Sequence, residues 1–139
     1  MEKPEIAGNT ITVPSDTRFL PEVDEFVEEF LRRHGVTESL IADIAISVSE
    51  LVINAVAHGG RTAPGEPVTI SIEKSDGRVT ISVADRGAGF NPDEIDDPLA
   101  DENLLKETGR GIFIVRSLMD TVDIEIGQRG TTVTISKAV

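Results

Sequence analysis

The chain has no cysteine. Disulfide bridges and thiolate metal centres are therefore excluded, and nothing in that absence opposes a reducing compartment. Positive charge is also scarce: 13 Lys and Arg stand against 25 Asp and Glu, a formal net charge of -12. A non-specific nucleic-acid binder or an anionic-membrane binder needs a positive footprint, and no Lys/Arg cluster supplies one locally. The opening residues, MEKPEIAGNT, lack the charged-then-apolar layout of a signal peptide, and no uninterrupted apolar run reaches membrane-spanning length. These absences set the expectation of a soluble, cytoplasmic protein with no direct nucleic-acid or membrane contact. At 139 residues, a single domain over residues 1–139 is expected, large enough to bury about two-thirds of its unfolded surface.

The segments that are present change period along the chain. NTITVPSD alternates Ile11 and Val13 with threonines and ends in a proline turn, which predicts a short strand. A helix follows, with Pro21 at its start, Val23, Phe26, Val27, Phe30 and Leu31 at helical spacing, and Gly35 at its stop. Thr37 caps a second helix. PVTISIEKSDGRVTISVAD predicts a hairpin in which Val68, Ile70 and Ile72 alternate, Asp76-Gly77 turns, and Val79, Ile81 and Val83 alternate back. VDIEIGQRGTTVTISKAV repeats that logic through Val122, Ile124, Ile126, Val133 and Ile135.

Between the hairpins, residues 87–111 lose all periodicity and become rich in acid, glycine and proline. Structureless stretches of that length inside a compact domain usually serve function, so a ligand-covering lid is expected. GIFIVRSLMD then returns to helical spacing. Strand, helix, helix, hairpin, loop, helix and hairpin together predict an α+β two-layer sandwich with one sheet and helices on one face.

Within the second helix, Asp43, Ser47, Glu50, Asn54 and His58 share an arc of about 80° amid apolar neighbours. Two readings are open: a narrow exposed stripe, or the lining of a pocket. In VADRGAGF, Asp85 follows a strand directly, and Gly87 and Gly89 allow a tight turn or the close approach of a ligand. In TGRGIF, Gly109 and Gly111 begin a helix, where free N–H groups favour a phosphate or simply mark helix entry.

Taken in order, SELVINAVAHG, DRGAGF, GRGIF and GTTV resemble the signatures of the Bergerat-fold (GHKL) ATPases, the superfamily of DNA gyrase, heat-shock chaperone ATPases and histidine-kinase catalytic domains. The wording ISVSELVINAVAHGG is most similar to the bacterial anti-sigma-factor serine/threonine kinases. That resemblance implies a mixed, mostly antiparallel sheet backed by three helices, with ATP and Mg²⁺ as ligands. It implies that Asn54 ligates Mg²⁺, that Glu50 acts as general base, and that Asp85 accepts from the adenine amino group. It further implies Gly87 and Gly89 packed at the base, Gly109 and Gly111 around the phosphates, and a hydroxyl contact from Thr131 at the adenine end. His58 either reaches the phosphate or ribose, or belongs to a glycine-ended helix terminus. Some family members carry an arginine two residues before the first lid glycine. Here that position is Glu107, so Lys106 or Arg110 is left to neutralise phosphate charge, Arg110 being equally readable as a solvated side chain.

The function implied is phosphorylation of a STAS-domain anti-anti-sigma protein, coupled to sequestration of an RNA-polymerase sigma factor, by a homodimer. Glu107 motivates the alternative, a nucleotide-gated binding module that transfers nothing. A histidine-kinase catalytic domain is disfavoured by the lack of preceding dimerisation helices, and gyrase-like or chaperone-like ATPases by the lack of further domains.

Overall fold

The computed structural model describes residues 2–62, 65–86, 111–127 and 130–139, the side chains of 58–62 excepted. In chain order these form β1 (Glu5–Ala7), β2 (Thr10–Val13), a 3-10 turn (Thr17–Phe19), α1 (Leu20–Arg33), α2 (Glu38–Thr62), β3 (Val68–Ser75) and β4 (Arg78–Ala84). Helix α3 (residues 111–118) follows, then β5 (Thr121–Gly127) and β6 (Gly130–Ala138). One six-stranded sheet runs β1-β2-β3-β4-β6-β5. Every described pairing is antiparallel, so the mixed character expected of the sheet is not found among the described residues. The expected lid, residues 87–111, lies outside the described residues except for Gly111, which is helical.

Local chemistry sets the element ends. Asp16 caps the 3-10 turn by accepting from the Arg18 amide at 3.0 Å, and Pro21 sits in the first turn of α1, where its missing N–H costs nothing. At the other end of α1, Gly35 adopts φ 73. The Val36 amide then reaches the Leu31 carbonyl at 3.0 Å and the Gly35 amide that of Arg32 at 3.1 Å, a Schellman closure that satisfies the last carbonyls. Thr37 starts α2 by accepting from the Ile41 amide at 2.9 Å. Between β3 and β4, Asp76 (φ 54) and Gly77 (φ 73) both take the left-handed region, as a two-residue hairpin turn requires.

Alternation along the strands sorts the sheet into two faces. Ile11, Val13, Val68, Ile70, Ile72, Val79, Ile81, Val83 and Ile135 are buried beneath the helices. Against them pack Val23, Val27, Phe30 and Leu31 of α1, Ile41, Ile44, Val48, Leu51 and Val52 of α2, and Val115 of α3. Burial of each such aliphatic side chain contributes about 1.5–3 kcal/mol. Helix α2 lies over β3, β4 and β6, and α1 over β2 and β3. By length and composition residues Glu38–Ala57 would suffice to cross a membrane, and in this fold their apolar side lies on the sheet. The opposite sheet face carries hydroxyls that pair across strands, Thr10 with Ser71 at 3.2 Å and Ser82 with Thr134 at 3.1 Å.

Asp120 ties α3 to the far end of β6. Its Oδ2 accepts from the Ala138 amide at 2.7 Å and lies 3.4 Å from Arg78 Nη1, while Oδ1 faces Lys137 Nζ at 3.7 Å. The Ala138 amide first, then the charges of Lys137 and Arg78, hold this carboxyl below its ordinary range. A depressed folded-state pKa gives stability that is present above the unfolded pKa and lost as pH falls through the folded one. Replacing Asp120 with asparagine therefore lowers Tm at pH 7, and calorimetry should find that difference shrinking once the pH drops below the carboxylate range.

Candidate functional site

The roll of α2 on the sheet decides which residues reach the site. With Ile41, Ile44, Val48, Leu51, Val52 and Ala55 buried, the polar stripe turns sideways: Ser47 is fully buried, and Asp43, Glu50 and Asn54 are half-buried. Between residues 40 and 57 the solvent-facing positions are Ala42, Ile46 and Ile53, so the stripe is not the exposed face of a surface helix. Ser47 needs no partner from elsewhere because its hydroxyl donates to the Asp43 carbonyl at 2.9 Å.

Glu50 and Asn54 face the start of α3. A Cβ built on Gly111 would stand 3.1 Å from Glu50 Oε2, 3.1 Å from Asn54 Nδ2 and 3.4 Å from Asn54 Oδ1. A hydrogen at Gly111 thus lets the α3 backbone close on both side chains at once. Asn54 Nδ2 is buried without a hydrogen-bond partner, and an orphaned buried amide costs about 1–3 kcal/mol, which a polar ligand would recover. A carboxylate, an amide and the side-chain-free backbone of Gly111 converge here, a set suited to a phosphate and a hard cation. Among the described residues no group of three His, Cys, Asp or Glu could cage a metal. Any cation here would lean on the few oxygens of Glu50 and Asn54 and on ligand oxygens.

The second cluster lies where β4 ends and β6 begins. Asp85 and Thr131 are both buried, 8% and 7% exposed, and the Asp85 amide donates to the Thr131 carbonyl at 3.0 Å. Strand alternation places both on the helix side of the sheet, beyond Val83 and Val133. Beside them, Arg86 Nη1 approaches Glu66 Oε2 at 3.7 Å, an exposed pair.

Gly130 is a positioning residue that the sequence reasoning missed. It adopts φ 141, and a Cβ there would fall 1.9 Å from the Asp85 carbonyl oxygen and 2.9 Å from Arg86 Cα. Only glycine lets β6 pass beneath the Asp85 backbone. The signal available beforehand was a glycine directly preceding Thr131.

The structure thus brings Glu50, Asn54 and Gly111 into one cluster, and Asp85 and Thr131 into another. Gly87, Gly89, Lys106, Gly109 and Arg110 lie outside the described residues, as does the His58 side chain. The α2 backbone, however, continues through Gly59 and Gly60 to Thr62, so the HGG sequence does not end the helix. Glycine costs a helix interior only about 1 kcal/mol, too little to stop one held by its neighbours.

Comparison with known proteins bears on this arrangement. The model of the histidine kinase-like ATPase domain family matches residues 13–137. An anti-sigma F factor of Geobacillus thermodenitrificans is 36% identical over 114 residues, covering 80% of this chain and 78% of that protein. A serine-protein kinase RsbW of Staphylococcus aureus is 29% identical over 132 residues, covering 90% of this chain and 82% of the relative. Among solved structures, the RsbU and RsbW domains of a Mycobacterium tuberculosis protein superpose with a TM-score of 0.68 at 26% identity, over 93% of this chain and 31% of that one. The histidine kinase domain of a blue-light activated kinase from Erythrobacter litoralis shares the fold, with a TM-score of 0.58.

The Gly130 contact gives a direct test. Gly130→Ala should cost roughly 1–3 kcal/mol of backbone strain and lower Tm by roughly 5–10 °C in a thermal melt. Gly127→Ala is the control, since its Cβ would meet nothing nearer than 3.8 Å.

Proposed function

The chain belongs to the histidine kinase-like ATPase domain family, and on that premise we propose that it is an ATP-dependent serine/threonine protein kinase that serves as an anti-sigma factor. The observation that carries this reading is the closure of Gly111 on Glu50 and Asn54, with the Asn54 amide buried and unpartnered. Similarity to an anti-sigma F factor and to a serine-protein kinase supports the same role.

In this reading Asp85 takes the adenine amino group through its buried carboxylate, and Thr131 supports that end of the pocket through its hydroxyl. Asn54 would present Oδ1 as the protein ligand for Mg²⁺, an oxygen donor suited to this hard cation. The cation, when bound, neutralises phosphate charge. Backbone N–H groups around Gly111 orient the phosphates in this reading. Glu50 sits one helical turn from Asn54 and accepts the proton of the acceptor hydroxyl. The serine Oγ then forms its bond to the γ-phosphorus, the bond from that phosphorus to the bridging oxygen of ADP breaks, and ADP leaves with the electron pair. Gly87, Gly89, Gly109, Lys106, Arg110 and His58 complete the proposed nucleotide contacts, with Lys106 or Arg110 supplying the positive charge that Glu107 does not.

The acceptor in this proposal is a serine on a STAS-domain anti-anti-sigma protein, which competes with an RNA-polymerase sigma factor for this chain. A homodimer and a cytoplasmic location belong to the same proposal.

Incubation with Mg²⁺ and γ-labelled ATP should place label on a serine of a STAS-domain protein from the same organism. Glu50→Gln should lower that transfer about 10²–10⁴-fold with ATP affinity retained in calorimetry. Full ATP binding without label on any such protein would instead favour the nucleotide-gated module.

A further inference from the structure

The side of α2 that the nucleotide site leaves unused is unusual for a helix face in water. At 100° per residue, Ala42, Ile46, Ser49 and Ile53 share an arc of about 60°. Ile46 keeps 48% of its surface exposed and Ile53 39%, where a solvated stripe ordinarily carries charged or amide side chains. The two isoleucines stand one heptad apart, with Ser49 between them on the stripe, which is the spacing of a seam that receives another helix or an extended segment. Glu50 follows Ile46 by four residues and precedes Ile53 by three, so its carboxylate borders both.

Charge says what fits the seam. On one border Asp24 of α1 accepts from Ser49 at 2.8 Å, and Glu28 lies one turn further along the same side of α1. On the other border stand Asp43 and Glu50. Arg32, near the end of the α1 row, is already matched by Glu38 at 3.0 Å. A second copy seated on this stripe would bring Asp24, Glu28, Asp43 and Glu50 against the same acids of its partner, which is repulsive at this face. An occupant with lysine or arginine around its apolar side chains meets the opposite sign on both sides.

We propose that this stripe docks the phosphoacceptor protein, through a segment with two or three apolar side chains bordered by basic residues, and so delivers the acceptor hydroxyl beside Glu50. The proposal rests on the kinase reading of the site. Contacts away from the reacting atoms supply the orientation that phosphoryl transfer depends on.

The test uses the STAS-domain protein labelled by the wild-type chain as substrate for an Ile46→Ser/Ile53→Ser double variant. Its KM for that protein should rise about tenfold or more, while Tm and ATP affinity stay at wild-type values. Ile6→Ser, which removes a side chain 64% exposed on β1, should leave KM unchanged. Raising salt from about 0.05 to 0.3 M should raise the wild-type KM several-fold, as screening weakens the border charges. An unchanged KM in the double variant overturns the docking proposal and leaves the kinase reading intact. A fall in Tm or ATP affinity large enough to account for the rise in KM makes the stripe structural and also overturns it. Absence of label with the wild-type chain removes the kinase reading and the docking proposal together.

Discussion

The roll of α2 on the sheet is the constraint from which the rest of the structure follows. Six aliphatic side chains, Ile41, Ile44, Val48, Leu51, Val52 and Ala55, are buried on this helix, and at about 25 cal/mol per Å² of apolar area their burial outweighs any preference of the polar residues. Once they are seated, helical geometry leaves no freedom. Glu50 and Asn54 must point sideways toward Gly111, and Ile46 and Ile53 must point to water.

Two glycines then exploit that fixed orientation in different ways. Gly111 lets the backbone of α3 come within van der Waals range of a carboxylate and an amide at once. Gly130 does the corresponding thing in the sheet, passing β6 under the Asp85 carbonyl so that Asp85 and Thr131 are held side by side. The helix-side cluster and the strand-side cluster are built by unrelated local devices. They are united by α2 lying across β4 and β6.

Much of this was legible in the sequence because local rules govern it. The Asp76-Gly77 turn, the Gly35 stop and the alternation of Val79, Ile81 and Val83 each depend on neighbours a few residues away, and each is found where the pattern placed it. What escaped was non-local. Strand β1 is three residues long and fully exposed, too short for alternation to register. The position of β6 between β4 and β5 depends on pairing across the whole chain. The roll of α2 escaped because Ile46 and Ile53 look like core residues in sequence. Only the packed sheet shows that the core is already full and that these two are left outside. Gly130 was invisible for a similar reason, since its neighbour in space, Asp85, is 45 positions away by the numbering of the chain.

The most direct measurement is a titration of isotope-labelled protein with Mg²⁺ and a non-hydrolysable ATP analogue, followed by the backbone and side-chain amide resonances. The largest shifts are expected at Glu50, the Asn54 side-chain amide, Gly111, Asp85 and Thr131, with the open sheet face unaffected. That face offers its own shallow depression, whose lining includes Thr10, Ser71, Glu73, Thr80 and Ser82. Shifts concentrated there, with the Asn54 amide and Gly111 unmoved, would contradict the assignment of the site.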